Sequence, residues 1–518
     1  MKKNKNKNTL NAVIIVLVLT LATKLLGFIR DAFIGSHFAT GIKADAYMMA
    51  QRLTVLIFMA VGTAITVSIV PIITRYYSQG ESERANQFVN KVLTFFLMLT
   101  IGVSIVAVIF AEQITTFIAS GYSGERLELT INFVKILFPS IIFIFSAYAI
   151  RAVLQSKEHF IGYSVMSVPF NIFIIGYLVF FVERFDIYGL IVSILIAWVF
   201  QFFVQLPFTT KDKIKYRLNF RMIGDKDMKE FFILFFPAAL SGLIYVINTI
   251  IDSSFASHLA KGHVAALGYG AQMYGAIAQT LIYSISAVLF PKLVGNFSQK
   301  SFDEFKEDAK NIINNIFYLI LPALFGCVAL SRPFVELTFM RKNFTVESAD
   351  LTQAAFVFFS IGFIGFALQE IISKIFFSIK NTIIPTIVAV LSVGLNYILN
   401  SILIETMGIS GLALATSIAI TFNAVLMYIL FQIKYGKWNN LDILINATKI
   451  LIASLLMYLC VNNLIINLHK VIAIDNNFVY NLISIILAGL VGVVVYAAAT
   501  YILRVKQTED IIKKLLRQ

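Results

Sequence analysis

Residues 24–52 read KLLGFIRDAFIGSHFATGIKADAYMMAQR, and five of their charges, Lys24, Arg30, Asp31, Asp45 and Arg52, fall in or beside the first two hydrophobic segments. A charge at bilayer depth costs about 2.5–3.5 kcal/mol on insertion scales, so it faces a protein interior or a watery cavity. This stretch is therefore the first candidate for a substrate site.

Working outward, the composition sets the class. The 518 residues are 59% hydrophobic and only 14% charged, with a mean hydropathy of +0.84. A soluble surface needs about 25% charge, so the chain reads as an all-α polytopic membrane protein. Cys327 and Cys460 lie in separate apolar segments, with neither disulfide nor metal spacing, and read as packing residues.

Apolar runs of membrane-spanning length predict 14 transmembrane helices, at 11–35, 45–74, 88–111, 130–154, 160–182, 187–209, 231–257, 265–294, 311–331, 351–377, 383–405, 409–433, 445–468 and 479–504. The basic start MKKNKNKN is followed by no clean cleavage site, which predicts a retained first helix broken at Gly27 and Arg30–Asp31. With the N-terminus inside, the inner loops hold 29 Lys and Arg against 9 outside. That bias places both termini in the cytoplasm. It also accounts for the net charge of +14 through anionic lipid headgroups, with no nucleic acid required.

The polar loop at 211–229 divides the chain into comparable halves, and they match. Asp31 aligns with Asp252, Ser36–His37 with Ser257–His258, Gly41 with Gly262 and Ala50–Gln51 with Ala271–Gln272 at an offset of 221, while Ser156 with Ser378 and Gly189–Leu190 with Gly411–Leu412 follow at 222. Two parallel six-helix repeats around a central cavity are expected. The divisions are an N-terminal lobe 1–210, a cytoplasmic basic linker 211–230, a second lobe 231–437, added helices thirteen and fourteen within 438–504, and an amphipathic cytoplasmic tail 505–518. The partner stretch 252–273 keeps Asp252, His258 and Gln272 but nothing matching Arg30, Asp45 or Arg52. Anion binding is thus expected to concentrate in the first half.

LLGFIRDAFIGSHFATGIKADAYMMAQRL resembles the signature of the MurJ/MviN lipid II flippases, and IIDSSFASHLAKGHVAALGYGAQMY with VLFPKL resembles their seventh and eighth helices. The resemblance covers nearly the whole chain. It implies the MOP exporter fold and export of an undecaprenyl-pyrophosphate-linked cell-wall precursor. Carried over, Lys24 falls where the family has an arginine, Arg30 matches the arginine of GF-x-RD, and Asp45 the acidic residue opening the second helix. Arginine offers a pyrophosphate a bidentate fork and lysine a point charge. Lys24, Arg30, Asp45, Arg52 and Gln272 form the expected substrate-binding set, with Asp45 either pairing Arg30 or gating the outer mouth. The opposing reading makes Arg30, Asp31 and Asp45 an interfacial salt-bridge cluster. The chain departs from the family near Phe58 and Gln272, where further arginines are usual, which leaves room for another lipid-linked glycan.

In the second half Asn396 and Asn400 lie one turn apart, with Thr416 on the next segment. Together with Asp252 they offer the oxygen ligands a sodium ion favours, an arrangement the resemblance supports although the family usually has a carboxylate at Asn400. Ordinary interhelical hydrogen bonding is the alternative. Glu370 and Lys374 read as an i,i+4 pair, and a proton-coupling role for Glu370 is the competing reading. His37 and His258 read as pore-mouth packing, and Pro139, Pro169, Pro237, Pro322 and Pro385 as helix benders.

No catalytic residue, no cofactor other than a sodium ion, and no metal beyond it are expected, and the lack of a GxxxxGK loop argues against ATP hydrolysis. The partners expected are the lipid-linked oligosaccharide, membrane lipids and the cell-wall synthesis machinery. Three functions compete: a lipid II flippase working by alternating access, a flippase for capsular, teichoic or exopolysaccharide units, and a multidrug or metabolite antiporter. The basic residues of the first half favour the anionic substrates.

Overall fold

The computed structural model describes residues 19, 22–159, 162, 166–210, 216–222, 224–299, 302–379, 381–436, 440–471 and 474–515. The basic N-terminal tail, the opening of the span expected at 11–35, residues 211–215 and 223 of the linker, the start of the added helices at 438–439 and the last three residues lie outside the described residues. Regular structure among the described residues is entirely helical. Among the described residues nine helices are long and apolar enough to cross a membrane, or eleven spans if each of two bent pairs counts as one, against the 14 expected. The fold is all-α and polytopic.

The two bent pairs carry the internal repeat into three dimensions. Gly124–Leu137 and Ser140–Ser156 meet at 43°, and so do Val346–Ile361 and Phe363–Ser378. In the first pair Pro139 sits at the break, where its ring removes a backbone donor and clashes with the preceding turn. In the second pair Gly362 takes that place. A Cβ there would lie 2.8 Å from Ser417 Oγ, and that hydroxyl donates to Phe358 O at 2.7 Å. A carbonyl at the bend thus keeps a partner, as apolar surroundings demand.

Contacts divide the chain at Ala265 into two compact units. In the first, the 37-residue span Ile42–Ser78 contains one wide π turn, Arg52–Leu56, and packs against Ser140–Ser156 and Lys226–Ser257. Ala64, Ile65, Ile69, Ile72 and Ile73 on that span are buried. Lys226–Ser257 begins at Asp225, whose side chain accepts from the backbone N–H groups of Asp227 at 3.1 Å and Met228 at 3.0 Å, an N-cap. Lys91 pairs with the same carboxylate.

Before that cap, residues 216–222 run along Ser82–Ile109 without helical structure. The Arg217 N–H donates to Asn90 Oδ1 at 3.3 Å and the Asn219 N–H to Thr94 Oγ1 at 2.9 Å. Close to the same cap, Arg75 makes two bonds to Glu230, at 2.9 and 2.8 Å.

In the second unit the added helices pack on Phe302–Ala329. Leu321, Ile450 and Val505 form one buried cluster, and Ala329, Leu330, Met457, Val461 and Ala488 another. The tail helix Lys506–Leu515 is pinned at its start by the buried Val505 and by Thr508 Oγ1, which donates to Tyr318 Oη at 3.1 Å.

Candidate functional site

Arg30 projects from the first helix, which the structure describes over 22–38. Its Nε and Nη2 both donate to Asp31 Oδ1, at 2.9 and 2.7 Å, and its Nη1 donates to Asn171 Oδ1 at 3.1 Å. The guanidinium carbon stands 5.6 Å from the centre of the Phe170 ring. Asn171 is oriented in turn by donating to Ser167 O at 3.0 Å. Three of the guanidinium's five N–H groups are used in these bonds, so two remain for an acceptor. A part-neutralised arginine held beside an aromatic ring is a pre-shaped fork for a phosphate oxygen pair. Lys24 is exposed on the same helix, nearly two turns earlier.

Arg52 opens the π turn and is 6% exposed. The extra residue of a π turn rotates the side chains on either side of it, which is why such turns concentrate at functional sites. Arg52 Nη1 donates to Ser253 Oγ, next to the buried Asp252.

Asp45 is fully buried, and its partner is not the expected Arg30. Its Oδ2 accepts from the Gly262 N–H at 2.7 Å and its Oδ1 from the Ala265 N–H at 2.8 Å. The helix His263–Gln299 begins there, and a carboxylate on its first N–H groups satisfies donors the helix leaves open and meets the positive end of its dipole. Arg126 completes the cluster, 3.3 Å from Asp45 Oδ2, donating also to Ser257 O at 2.8 Å and lying 4.0 Å above the Tyr122 ring. Arg30 is spent on Asp31 and Asn171 instead. The opposing reading of Arg30, Asp31 and Asp45 as one salt-bridge cluster is therefore not what the structure shows, since Arg30 pairs Asp31 while Asp45 pairs Arg126.

Close approach of backbones supports the Asp45 site. Gly262 has φ +88, and a Cβ there would lie 2.7 Å from Thr40 O; a Cβ at Gly121 would lie 2.5 Å from the Ser257 carbonyl. Two glycines let three segments meet where any side chain would hold them apart.

In the second unit Asn400 Nδ2 donates to Asn396 Oδ1 at 3.0 Å, and Asn396 Nδ2 to Thr416 Oγ1 at 3.2 Å, with both asparagines fully buried. The three expected residues are thus brought together as one linked network of neutral oxygens, a donor set that fits a singly charged hard cation. Asp252 belongs to the first unit. Gln272 is partly buried with its Oε1 unbonded, and Lys374 pairs with Glu370 at 2.9 Å. Among the described residues no group of three His, Cys, Asp or Glu is arranged to hold a metal ion.

Sequence reasoning missed Arg126, Asn171 and Ser253. Arg126 entered only as an outer-loop charge, and no local pattern tied it to Asp45.

A sequence model described as lipid II flippase MurJ matches residues 34–500. A probable lipid II flippase MurJ of Buchnera aphidicola subsp. Schizaphis graminum is 30% identical over 81% of this chain and 83% of its own. One from Rickettsia prowazekii is 26% identical over 95% and 97%. Among solved structures, a lipid II flippase MurJ in an inward closed conformation superposes with a TM-score of 0.80 at 26% identity, covering 96% of this chain and all of that one. An inward-facing multidrug MATE transporter of the MOP superfamily gives 0.69 at 16% identity over 81% of this chain and 98% of that one, a likeness of fold alone. The chain belongs to the MurJ family of lipid II flippases.

Proposed function

We infer that this protein moves lipid II, an undecaprenyl-pyrophosphate-linked cell-wall precursor, from the inner to the outer leaflet of a bacterial membrane. The observation that carries the reading beyond family membership is the Arg30 fork. It is a guanidinium at bilayer depth that keeps two N–H groups for an anion after pairing Asp31 and Asn171. Lys24 and Arg52 add charge on the same half, while Gln272 offers a neutral polar contact for the sugar or phosphate. A drug exporter for organic cations would place carboxylates and aromatic rings where this chain has cations.

In this reading both termini are cytoplasmic, the headgroup crosses by alternating access, and the polyprenyl tail stays in lipid beside Asn440–Val471 and Asn477–Ile502. No bond is made or broken. Asn396, Asn400 and Thr416 would hold a sodium ion, and its gradient or the membrane potential would drive reset; one charge moved through 100 mV yields about 2.3 kcal/mol. Cell-wall synthesis enzymes on either side would supply and consume the substrate.

Complementation of a bacterial strain depleted of its own lipid II flippase tests this. Rescue of growth by the intact chain and its loss with Arg30→Ala are expected. A well-expressed chain that fails to rescue, yet restores a strain lacking the flippase of another lipid-linked glycan, would overturn the lipid II assignment.

A further inference from the structure

We propose that residues 216–222 form a lipid-interface anchor, a strap that lays Leu218 and Phe220 into the headgroup boundary of the membrane and holds anionic phospholipid with Arg217 and Arg221. The proposal rests on the membrane embedding alone and is independent of which substrate is carried.

The strap's register makes the case. Its backbone is fixed at alternate residues, the N–H groups of Arg217 and Asn219 donating to Asn90 and Thr94. Those two acceptors are one turn apart on Ser82–Ile109 and are buried. Leu218 and Phe220, the residues between and after the fixed ones, are turned away from that helix and are each 64% exposed. Two large apolar side chains displayed in this way on a soluble surface would be a liability, whereas at a membrane boundary they are an anchor.

Depth follows from the helix the strap lies on. Its 28 residues measure about 42 Å, against about 30 Å of hydrocarbon. The excess is taken up by the polar first turns, where Glu83, Arg84, Asn86, Gln87, Asn90 and Lys91 cluster before the uncharged, mainly apolar run 92–109. Thr94, which holds Asn219, stands about 18 Å along the helix from Ser82, at the point where the polar turns give way to that run. Leu218 and Phe220 therefore sit at the level where hydrocarbon meets headgroups.

Charge selects the occupant. Arg217 and Arg221 bracket the two apolar residues and are exposed, and neither enters an ion pair among the described residues, in contrast to Arg75, Arg84 and Lys91 nearby. Basic residues flanking apolar ones at this depth match an anionic phospholipid headgroup. A cytosolic protein partner would have to reach residues that lie at the hydrocarbon edge.

The test uses the full chain with Cys460→Ala, reconstituted in vesicles, and a fluorophore placed on Phe220→Cys; Glu83→Cys at the inner end of the same helix is the aqueous control. We expect the label at 220 to be quenched by doxyl groups attached near the lipid headgroup and shielded from aqueous iodide, with the control showing the reverse. In vesicles containing phosphatidylglycerol the lipid quenching should exceed that in pure phosphatidylcholine. Arg217→Gln and Arg221→Gln should each weaken the preference for phosphatidylglycerol about fivefold. Iodide quenching equal to the control, shielding from both quenchers, or a signal indifferent to anionic lipid and to both arginines would each overturn the proposal.

Discussion

Asp45 and Arg126, 81 residues apart in sequence, meet with carboxylate and guanidinium 3.3 Å from each other in the buried interior of the first unit. Between them they hold four segments: the start of the second helix, the 121–122 turn, the end of Lys226–Ser257 and the start of His263–Gln299.

Removing one member strands the other. Arg126→Ala leaves a buried carboxylate with backbone partners only, and breaking such a pair costs about 3–5 kcal/mol. Asp45→Asn keeps the shape but loses charge-assisted bonds worth about 1.5–3 kcal/mol each. The double variant should be less unstable than the sum of the two, as a double-mutant cycle on unfolding in detergent would record. Strictly additive losses would show that the two side chains act independently.

Three glycines separate conformation from space. Gly121→Ala places a Cβ 2.5 Å from the Ser257 carbonyl, and Gly262→Ala adds a clash with Thr40 O to a backbone at φ +88. Gly41, the repeat counterpart of Gly262, has extended φ −154 and nothing within 4 Å. Both crowded substitutions should lower the melting midpoint by several degrees, and Gly41→Ala should leave it within error. Equal behaviour of all three would mean that the outer segments part without cost.

That contrast marks what the sequence could reveal. The all-α membrane class and the charge-bearing stretch were legible because apolar periodicity and the expense of buried charge are local, whereas of the 14 spans expected nine to eleven are seen among the described residues. The repeat also anticipated matched helix entries at Gly41 and Gly262, yet the two glycines adopt different conformations because only one is approached by another backbone. Arg30 was readable as a charge in need of partners, whereas Asn171, which orients it, is 141 residues distant. Asp45 was left between pairing Arg30 and gating the outer mouth; the structure gives it two backbone amides and Arg126, and amides leave no mark in a residue pattern.

At the inner side, Asp225 should make stability depend on pH. Burial pushes its carboxyl up, but the Lys91 ammonium and the Met228 and Asp227 amides outweigh that, leaving it below its ordinary value of 3.8. A carboxyl lowered by folding stabilises above its unfolded value, and the benefit disappears as pH falls through the folded one. Asp225→Asn, which keeps the cap but loses the charge facing Lys91 and the helix end, should therefore cost about 0.3–1 kcal/mol at neutral pH and nothing below the folded value. A stability gap that persisted unchanged in strong acid would assign the loss to packing.

The asparagine network offers a test of sodium that does not depend on transport. At present Asn400 donates its amide to Asn396 Oδ1 at 3.0 Å, and both side chains are fully buried. Asn400→Asp exchanges that donor for a carboxylate oxygen, so two oxygens face each other and the new charge lacks a partner. A cation between them relieves both penalties, with Thr416 Oγ1 close by as a further ligand. The variant should be destabilised in choline chloride and recover in sodium chloride, by about 2.7 kcal/mol when sodium is a hundredfold above its dissociation constant. The wild-type chain, in which Asn400 and Asn396 each already donate to the next oxygen of the network, should gain less. Recovery that is the same in sodium, potassium and choline would identify the three residues as an interhelical hydrogen-bond network without a cation.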